Sequence, residues 1–461
     1  MQKHIKPLFA PYDPHYDPVV DAGPGTNRDY APTYWIDTAG RPPEDDGPVM
    51  GDIDCDVAIV GSGYTGLSAA IHLAREHGIK AVVLEANRVA WGCSTRNGGQ
   101  AQMSSGRLKR SQWIDRWGID VAKKMHAEVA EGFDLFRSLI AEIDCEPQDG
   151  GHLYIAHKPS VMPALQRESD LLNDVFGYGS RIVSRGEVHA DFVGDAEAAG
   201  AMYEPDGISI HAARLAFGYQ KLARDLGATI HPSSPVSGWE TQGKMHHLTT
   251  PGGTVRARAV GIATAGYTSP GLNSLTSHRL MPILSNSIVT RVLTPAEIEA
   301  CGLKSRIPLT DTRTLRHYYR FLPDNRLQIG SRSAITGRDA ANPKHLKVLV
   351  DGMERKFPAL AGIELDYSWW GWVDVSHDMM PRICRPDPRQ SIFYAMGYGG
   401  NGVMYSAQAG RRLAQMIAGK SGDLDLPIFT SPLPHHGLLT PFRRLGQSLM
   451  YRWYHHKDER P

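Results

Sequence analysis

Cysteine, long apolar runs and an excess of either charge are all scarce in this chain of 461 residues. The five cysteines are widely spaced and include no C-x-x-C pair, which argues against a disulfide framework or a zinc site and indicates a reducing compartment. No run of about 18 apolar residues occurs, so we expect no membrane-spanning helix. Lys and Arg number 50 against 49 acidic residues, a balance that gives no reason to expect a nucleic-acid partner.

The composition is that of an ordinary globular protein. Apolar residues make up 41% and charged residues 21%, and the length suffices for two domains. The first residues, M-Q-K-H-I-K-P, lack the apolar stretch of a secretory signal. We therefore expect a cytoplasmic protein without a metal site.

The most informative segment begins with an apolar strand, residues 57–60, that leads into G-S-G-Y-T-G at residues 61–66. A helix rich in small residues follows, and a second apolar strand ends on Glu85. This order predicts a Rossmann-type dinucleotide-binding unit, because the glycines let the backbone approach a pyrophosphate at the helix N-terminus. Glu85 can accept hydrogen bonds from an adenosine ribose and would repel a 2′-phosphate, so NADP is not expected. A glycine-rich turn without a nucleotide is the alternative.

The segment after Glu85 favours FAD over NAD. Residues 88–100, R-V-A-W-G-C-S-T-R-N-G-G-Q, form a polar loop where a simple NAD-binding unit would start a helix. Arg96 can neutralise phosphate charge, the hydroxyls of Ser94 and Thr95 can donate to phosphate oxygens, and the glycines let the backbone pass close to a flat ring. We therefore expect a cofactor longer than NAD.

A second glycine cluster, G-Y-G-G-N-G-V-M at residues 397–404, lies between an apolar strand and a helix. A helix N-terminus aimed at the same cleft would stabilise negative charge on a reduced flavin ring. A tight turn without a chemical role is the alternative interpretation.

These motifs, residues 57–66, 82–86, 92–100 and 397–404, resemble those of the D-amino acid oxidase-like FAD oxidoreductases, above all their γ-glutamylputrescine oxidase branch. The Y-W of residues 34–35 and the W-G-W of residues 370–372 resemble further features of that branch, and the resemblance covers roughly residues 30–420. It implies an α/β fold with a discontinuous Rossmann-type FAD-binding domain and a β-rich α+β substrate domain over the flavin.

The two domains are expected to alternate along the chain. The predicted division is an N-terminal arm (1–50), FAD-binding segments (51–110, 201–275 and 376–420), substrate-domain segments (111–200, opening with a helical stretch, and 276–375) and a C-terminal tail (421–461).

The resemblance also assigns cofactor-binding residues by motif position. For the pyrophosphate and ribose these are Gly61, Ser62, Gly63, Tyr64, Thr65, Gly66, Glu85 and Ala86. For the pyrophosphate and flavin they are Gly92, Ser94, Thr95, Arg96, Asn97, Gly98, Gly99, Gln100, Gly266, Gly399, Gly400, Asn401, Gly402 and Val403, with the backbone of Val236 at the adenine. Noncovalent FAD is expected, because Cys384 does not align with the cysteine that binds flavin in some relatives and Cys93 has the character of a small packed residue.

The implied reaction passes a hydride from a C–H bond of a small-molecule amine to flavin N5, after which the imine hydrolyses and O₂ reoxidises the flavin to give H₂O₂. A γ-glutamylated polyamine such as γ-glutamylputrescine is one candidate substrate. Two departures point away from a simple α-amino acid: Met404 replaces a carboxylate-binding Lys of sarcosine-oxidase-like relatives, and residues 369–372 lack the Arg that glycine and D-amino acid oxidase-like relatives place over the flavin. Arg332 could restore a carboxylate site, but we expect a solvated arginine at a strand end.

The proposed catalytic residues are Tyr319, Trp372 and Asn401. Hydride transfer from a neutral amine needs orientation more than a strong acid or base. Aromatic walls from Tyr318, Tyr319, Trp370 and Trp372 would desolvate an ammonium group and hold it by cation–π contact, although each of these residues could equally be core. His317 and His377 are the nearest histidines along the chain and are candidate bases.

Three other functions remain open. The protein could be an FAD-dependent amine or amino acid dehydrogenase that passes electrons to a quinone or carrier protein, a flavin-stabilised binding protein without turnover, or an NAD dehydrogenase. The basic, amphipathic segment 439–454 suggests contact with a membrane surface, but we expect it to be a helix packed on its own domain.

Overall fold

The computed structural model describes residues 16–422 and 424–460, so the expectations for residues 1–15 of the arm and for Asp423 and Pro461 of the tail lie outside the described residues. The helices are α1 (Tyr34–Thr38), α2 (Tyr64–His77), α3 (Arg110–Trp117), α4 (Ile119–Ala141), α5 (Met162–Phe176), α6 (Arg185–Glu187), α7 (Ala212–Asp225), α8 (Pro295–Ala300), α9 (Gly337–Ala340), α10 (Pro343–Lys356), α11 (Tyr405–Ile417), α12 (Pro427–Thr430) and α13 (Arg443–Glu459).

The strands are β1 (Ile53–Val60), β2 (Val82–Leu84), β3 (Gln100–Gln102), β4 (Gln148–Asp149), β5 (His152–Ile155), β6 (Arg181–Ser184), β7 (Gly200–Glu204), β8 (Gly207–Ser209), β9 (Thr229–His231), β10 (Gly238–Gln242), β11 (Met245–Thr250), β12 (Gly253–Ile262), β13 (Leu280–Thr290), β14 (Leu309–Asp311), β15 (Tyr318–Phe321), β16 (Leu327–Ser331), β17 (Leu365–Ser376), β18 (Arg382–Cys384) and β19 (Ile392–Met396).

The first sheet has the parallel core of a Rossmann-type domain. Strand β1 pairs in parallel with β2 and β12, β2 continues to β9, and β12 also pairs with β19. Residues 57–60 and 82–84 are buried, as expected for apolar parallel strands that are covered on both faces. The predicted α/β fold is therefore confirmed, with β1 and β2 ending directly before residue 61 and at Leu84, next to Glu85.

Helices α2 and α11, which begin after the two glycine clusters, pack closely against each other. A Cβ at Gly410 would lie 2.6 Å from the Cβ of Ser68, so glycine lets the helices approach. The Ser68 hydroxyl donates a hydrogen bond of 2.7 Å to the Ala407 carbonyl and ties the two helices together.

The second sheet supplies the expected β-rich domain. Its eight strands run in the order β17-β13-β16-β15-β14-β5-β7-β6, all antiparallel neighbours except β14 and β5. A three-stranded sheet, β3-β8-β4, lies beside it. The strands of the two large sheets alternate along the chain, as the predicted division requires; the domain boundaries themselves stay a prediction.

The described part of the N-terminal arm is more than an extended segment. Helix α1 buries Trp35, whose indole N–H donates a 2.8 Å hydrogen bond to the carbonyl of Asn97 in the predicted cofactor loop. This part of the arm is therefore anchored to the core by an aromatic side chain.

The C-terminal helix α13 packs on its own protein, as expected. The Arg444 guanidinium lies 2.6 Å from the Asp17 carboxylate, and Asp458 accepts a hydrogen bond of 3.1 Å from the Leu315 amide. Among the described residues no helix has the length and apolarity needed to cross a bilayer.

Candidate active site

A cleft of about 1830 Å³, open mouth included, lies between the two large sheets. Residues at the carboxyl ends of β1 and β2 line one end, and side chains of the second sheet line the other. The predicted residues that line it are Gly61, Gly63, Tyr64, Thr65, Glu85, Ala86, Gly92, Ser94, Arg96, Asn97, Gly98, Gln100, Val236, Gly266, Trp372, Gly400, Asn401, Gly402 and Val403.

The other predicted residues stand behind this lining. The Ser62 hydroxyl and amide both donate to Glu85, and the Thr95 hydroxyl donates to the Ala90 carbonyl. Gly66 packs against the Gly61 carbonyl, Gly99 against the Ile210 carbonyl and Gly399 against the Arg107 side chain. We therefore propose that these five residues shape the cleft rather than touch a ligand.

The first glycine turn leaves room for a phosphate at the start of α2. Gly61 has φ 103°, a conformation that other residues rarely adopt, and a Cβ there would lie 2.8 Å from the Ala263 carbonyl oxygen. Gly63 is the N-cap of α2, and within this described helix no acidic side chain occupies the first turn. The positive end of a 14-residue helix thus faces the cleft.

Glu85 borders the same turn. One oxygen accepts hydrogen bonds from the Ser62 amide at 3.1 Å and hydroxyl at 2.7 Å, and the other accepts one from the Asn87 amide at 3.1 Å. Burial raises the pKa of Glu85, while these donors oppose that effect. The position, next to the first turn and at the end of β2, suits a ribose.

The loop of residues 92–100 is held by its own hydrogen bonds. Ser94 accepts a 2.9 Å bond from the Tyr64 amide at the start of α2, and Asn97 donates to the Tyr64 hydroxyl at 3.2 Å. The Arg96 guanidinium donates to the Trp91 carbonyl and lies 4.5 Å from the centre of the Trp91 ring. Arg96 lines the cleft and also fixes the loop, so its proposed contact with phosphate stays a prediction.

The second glycine cluster forms the opposite wall. Gly400 has φ 94°, and a Cβ there would collide with the Arg332 guanidinium. The Asn401 side chain donates to the Gly106 carbonyl and, at 3.3 Å, to the Ser104 hydroxyl. Asn401 therefore ties this cluster to residues 104–106, while it also lines the cleft.

These features fit FAD. The glycines let the turn pack tightly on Ala263 and at the start of α2, the N-terminus of α2 attracts the negative charge of a pyrophosphate, and Glu85 stands at the end of β2 where a ribose would lie. Beyond them the cleft continues to the second glycine cluster, which gives a longer cofactor its place. The residues that would hold FAD are Glu85 and those members of both glycine clusters and of the loop of residues 92–100 that line the cleft.

Tyr318, rather than Tyr319, forms an aromatic wall of the cleft. Its ring lies between Gly98 and Gly330, where a Cβ on either glycine would collide with it, and its hydroxyl lies 3.0 Å from those of Ser285 and Ser287. Tyr319 points to the opposite face of β15, where its hydroxyl donates to Asp195 in a buried core. The catalytic assignment of Tyr319 is therefore corrected, because neighbouring residues of a strand face opposite sides.

Of the remaining candidates for catalysis or for an aromatic wall, one lines the cleft and three lie outside its lining. Trp372 lines the cleft, and the Arg444 guanidinium of α13 lies 5.2 Å from the centre of its ring. Trp370 packs edge-on against His345, His317 is held 3.1 Å from Asp311 behind β15, and His377 packs against His436. These three residues lie outside the lining, which corrects the idea of a base at His317 or His377.

Three arginines converge on the cleft: Arg107, Arg316 and Arg332. Within residues 16–422 and 424–460 none of them forms an ion pair, and the Nε–H groups of Arg316 and Arg332 are buried without a hydrogen-bond partner. Arg107 donates one bond, of 3.3 Å, to the Gly399 carbonyl. The expectation of a solvated Arg332 is wrong, because its guanidinium packs against Gly400 inside the cleft, with Tyr451 of α13 among its electrostatic neighbours.

Without a bound anion, burial and mutual repulsion disfavour the charged forms of Arg107 and Arg332. Burial, followed by repulsion from Arg332 and Arg316, holds the pKa of Arg107 well below its usual value. Burial also lowers the pKa of Arg332; Tyr451 of α13 opposes that effect and Arg316 adds to it. An anionic group bound among the three guanidinium groups would remove this penalty.

A line of three polar groups leads away from the cleft. Thr310 lines the cleft, its hydroxyl bonds to Nε2 of His152, and Nδ1 of His152 lies 2.7 Å from the Glu204 carboxylate. Burial alone would raise the pKa of Glu204, but the His152 ring and nearby arginines bring it below its usual value. Such a line can carry a proton between the cleft and Glu204.

Two further groups of the lining have displaced pKa values. Burial raises the pKa of Asp374 to about 6, although the Gly397 amide donates to its carboxylate. Burial likewise raises the pKa of the Cys93 thiol to about 12, so Cys93 is a poor nucleophile. Cys384 lies in a separate buried cluster, and both observations favour the noncovalent binding that we predict.

Several residues of the lining were missed by the motifs: Arg107, Thr310, Arg316 and Asp374. Thr310 and Arg316 lie far from every quoted motif in sequence, whereas Arg107 and Asp374 follow the segments 92–100 and 370–372 at positions that these motifs do not specify. For this end of the cleft the sequence offered two signals: Arg332, which could form a carboxylate site, and Tyr318, which could form an aromatic wall.

Comparison with known proteins supports the reading of the cleft. A family model described as "FAD dependent oxidoreductase" (DAO) matches residues 56–416. The chain is 31% identical over 413 residues to the gamma-glutamylputrescine oxidoreductase of Escherichia coli (strain K12), a match that covers 86% of this chain and 91% of that protein.

Two solved structures share the fold. The glycine oxidase from Geobacillus kaustophilus superposes with a TM-score of 0.69 at 22% identity and covers 83% of this chain and 99% of its own. The L-proline dehydrogenase from P. horikoshii gives a TM-score of 0.67 at 17% identity, with 82% and 96% covered.

Proposed function

The chain belongs to the FAD dependent oxidoreductase (DAO) family, and from this premise we propose that it oxidatively deaminates a γ-glutamylated amine such as γ-glutamylputrescine. Its place in the family makes it an FAD-dependent oxidoreductase that acts on CH–NH groups of amines or amino acids. The similarity to the Escherichia coli enzyme supports the γ-glutamyl substrate, which remains our proposal.

The observation that carries the proposal is the arginine cluster. An unmodified diamine would bring two positive charges, and no negative one, toward Arg107, Arg316 and Arg332, which repel one another and form no ion pair within the described residues. A γ-glutamyl group replaces one ammonium of the diamine with an amide and adds an α-ammonium together with an α-carboxylate, so the substrate gains the one negative charge that the free diamine lacks. The arginines can bind that carboxylate by charge-assisted hydrogen bonds, leaving the free amine at the other end of the substrate to react.

The other groups of the cleft prepare that amine. The walls of Tyr318 and Trp372 exclude water and favour the neutral amine over the ammonium. The Thr310 hydroxyl can pass the ammonium proton to His152, with Glu204 stabilising the charged ring. When bound, FAD supplies the acceptor for the hydride that leaves the carbon next to the amine nitrogen.

The proposed products are the aldehyde, ammonia and, with O₂ as the terminal acceptor, H₂O₂. We keep the cytoplasm as the proposed location because all five cysteines are free thiols.

The experiment is a bleaching assay on the yellow holoprotein. Without oxygen, γ-glutamylputrescine should bleach the flavin band much faster than putrescine or N-acetylputrescine. The acetyl compound has the same amide but lacks the α-carboxylate and the α-ammonium. Equal rates for γ-glutamylputrescine and N-acetylputrescine would contradict the proposed recognition, and flavin that no amine reduces would contradict the reaction. Admitting air then separates two classes: rapid return of colour with peroxide indicates an oxidase, whereas slow return indicates a dehydrogenase.

A further inference from the structure

Helix α13 presents an apolar stripe to solvent. Leu445, Leu449 and Trp453, spaced four residues apart, are 59%, 57% and 58% exposed, and Phe442 and Met450 flank them. Residues at this spacing share one helix face. Half of the ten large exposed apolar side chains of the described chain lie in these twelve residues, so the stripe differs from ordinary scattered exposure.

The opposite face of α13 accounts for its attachment to the protein. Arg444 bonds to Asp17 and to the Pro282 carbonyl, Gln447 is buried, and Asp458 accepts bonds from residues 314 and 315. The apolar stripe is therefore not needed to hold the helix in place.

Positive charge borders the stripe. Arg452 and Lys457 are exposed, and the Lys457 ammonium lies 5.6 Å from the centre of the Trp453 ring. The acids of the helix are engaged elsewhere, since Asp458 faces inward and Glu459 lies 3.4 Å from Arg313. The exposed face thus combines apolar side chains with cations.

We propose that this face docks the protein on an anionic phospholipid bilayer, with α13 lying in the plane of the interface. Leucine and tryptophan side chains would enter the boundary between headgroups and acyl chains, while Arg452 and Lys457 meet lipid phosphates. The 17 residues of the helix span about 25 Å, enough for a shallow anchor along its whole length. A second copy fits this face less well, because pairing two such helices would bring their cations together.

Docking would place the active site close to the lipid. The inward face of α13 reaches the cleft. There the Arg444 guanidinium lies over the Trp372 ring, and Tyr451 raises the pKa of Arg107 and Arg332, against the effect of burial. Lipid-facing and cleft-facing groups are thus two sides of one helix.

The first test is sedimentation of the holoprotein with phosphatidylcholine vesicles, with and without phosphatidylglycerol. We expect binding to the anionic vesicles only, and weaker binding as salt is added. A Leu449→Gln, Trp453→Gln variant should bind at least about ten-fold more weakly, because both side chains leave water on docking. Ile119→Gln, at an exposed apolar position of α4, is the matched control and should bind normally. Flavin content and bleaching by amines in solution should stay unchanged in both variants.

The second test locates the contact. Brominated lipids should quench a part of the tryptophan fluorescence that Trp453→Phe abolishes while vesicle binding persists. The proposal is overturned if anionic vesicles do not bind the holoprotein or bind the double variant equally well. It is also overturned if analytical ultracentrifugation shows a dimer that the double variant dissociates, since the stripe would then belong to a second copy.

Discussion

Replacing Arg332 with methionine tests how the cleft recognises its substrate. Arg332 lines the cleft, its guanidinium lies against Gly400, and within the described residues it pairs with no acid. Methionine keeps much of the aliphatic length but removes the cation. If Arg332 binds the substrate carboxylate, this change should impair catalysis without destabilising the folded protein.

The magnitude follows from the lost interaction. A hydrogen bond to a charged group contributes about 1.5–3 kcal/mol, which corresponds to roughly a 10- to 150-fold fall in kcat/KM. Most of it should appear in KM, because the carboxylate is bound equally in the ground and transition states. Stability should behave differently: burial and repulsion from Arg316 already disfavour the Arg332 cation, so Tm should not fall.

The assay compares two substrates and two variants. Initial rates of peroxide formation or flavin bleaching are measured with γ-glutamylputrescine and with N-acetylputrescine. Arg338→Met, at an exposed position of α9, is the matched control and should leave both substrates unaffected. Thermal unfolding of each variant gives the second readout.

Two outcomes would refute the reasoning. An equal loss for both substrates would mean that Arg332 does not recognise the carboxylate. A clear fall in Tm would mean that Arg332 stabilises the fold, and the loss of activity would then have a structural cause.

Three further predictions concern other parts of the cleft. Glu85→Gln should weaken FAD binding about ten-fold or more by removing the charge that accepts ribose hydroxyls, as measured by quenching of FAD fluorescence on reconstitution. The folded state raises the pKa of Asp374 from 3.8 to about 6, so ionisation of this carboxyl opposes folding. Asp374→Asn should therefore stabilise the protein by up to about 3 kcal/mol above pH 6, as measured by urea unfolding. The gain in unfolding free energy should decline toward pH 4, and a gain that does not decline would contradict the assignment. Thr310→Val should lower kcat/KM about 100-fold at low pH, where the amine is protonated, but little at high pH; a loss that is independent of pH would argue against the path through His152.

The sequence could predict those parts of the site in which the local backbone geometry requires particular residues. A turn with φ 103° at residue 61, followed by a helix and a strand that ends on an acid, leaves a readable pattern wherever it occurs. The sequence therefore suffices to predict that Glu85 and the loop of residues 92–100 lie at one end of the cleft, while their contact with FAD stays a prediction.

The substrate end depends on contacts that sequence does not encode locally. Tyr318 and Tyr319 differ by one position on β15, and both faces of that strand are buried, so hydropathy cannot tell which ring faces the cleft. Arg332 was expected in solvent on general grounds, but the packing of distant segments encloses it. Thr310 reaches His152 only through the parallel pairing of β14 with β5, which joins residues far apart in sequence.

The close contact between α2 and α11 fixes a distance that the cofactor must match. Each helix begins at one of the two glycine loops, and Gly410 sits against Ser68 where the helices meet. The contact between α2 and α11, which lies outside the cleft, thus sets the spacing between the two glycine loops. Enlarging residue 410 to alanine should push the two helices apart and change the spacing of the loops, so a position outside the cleft should affect cofactor binding.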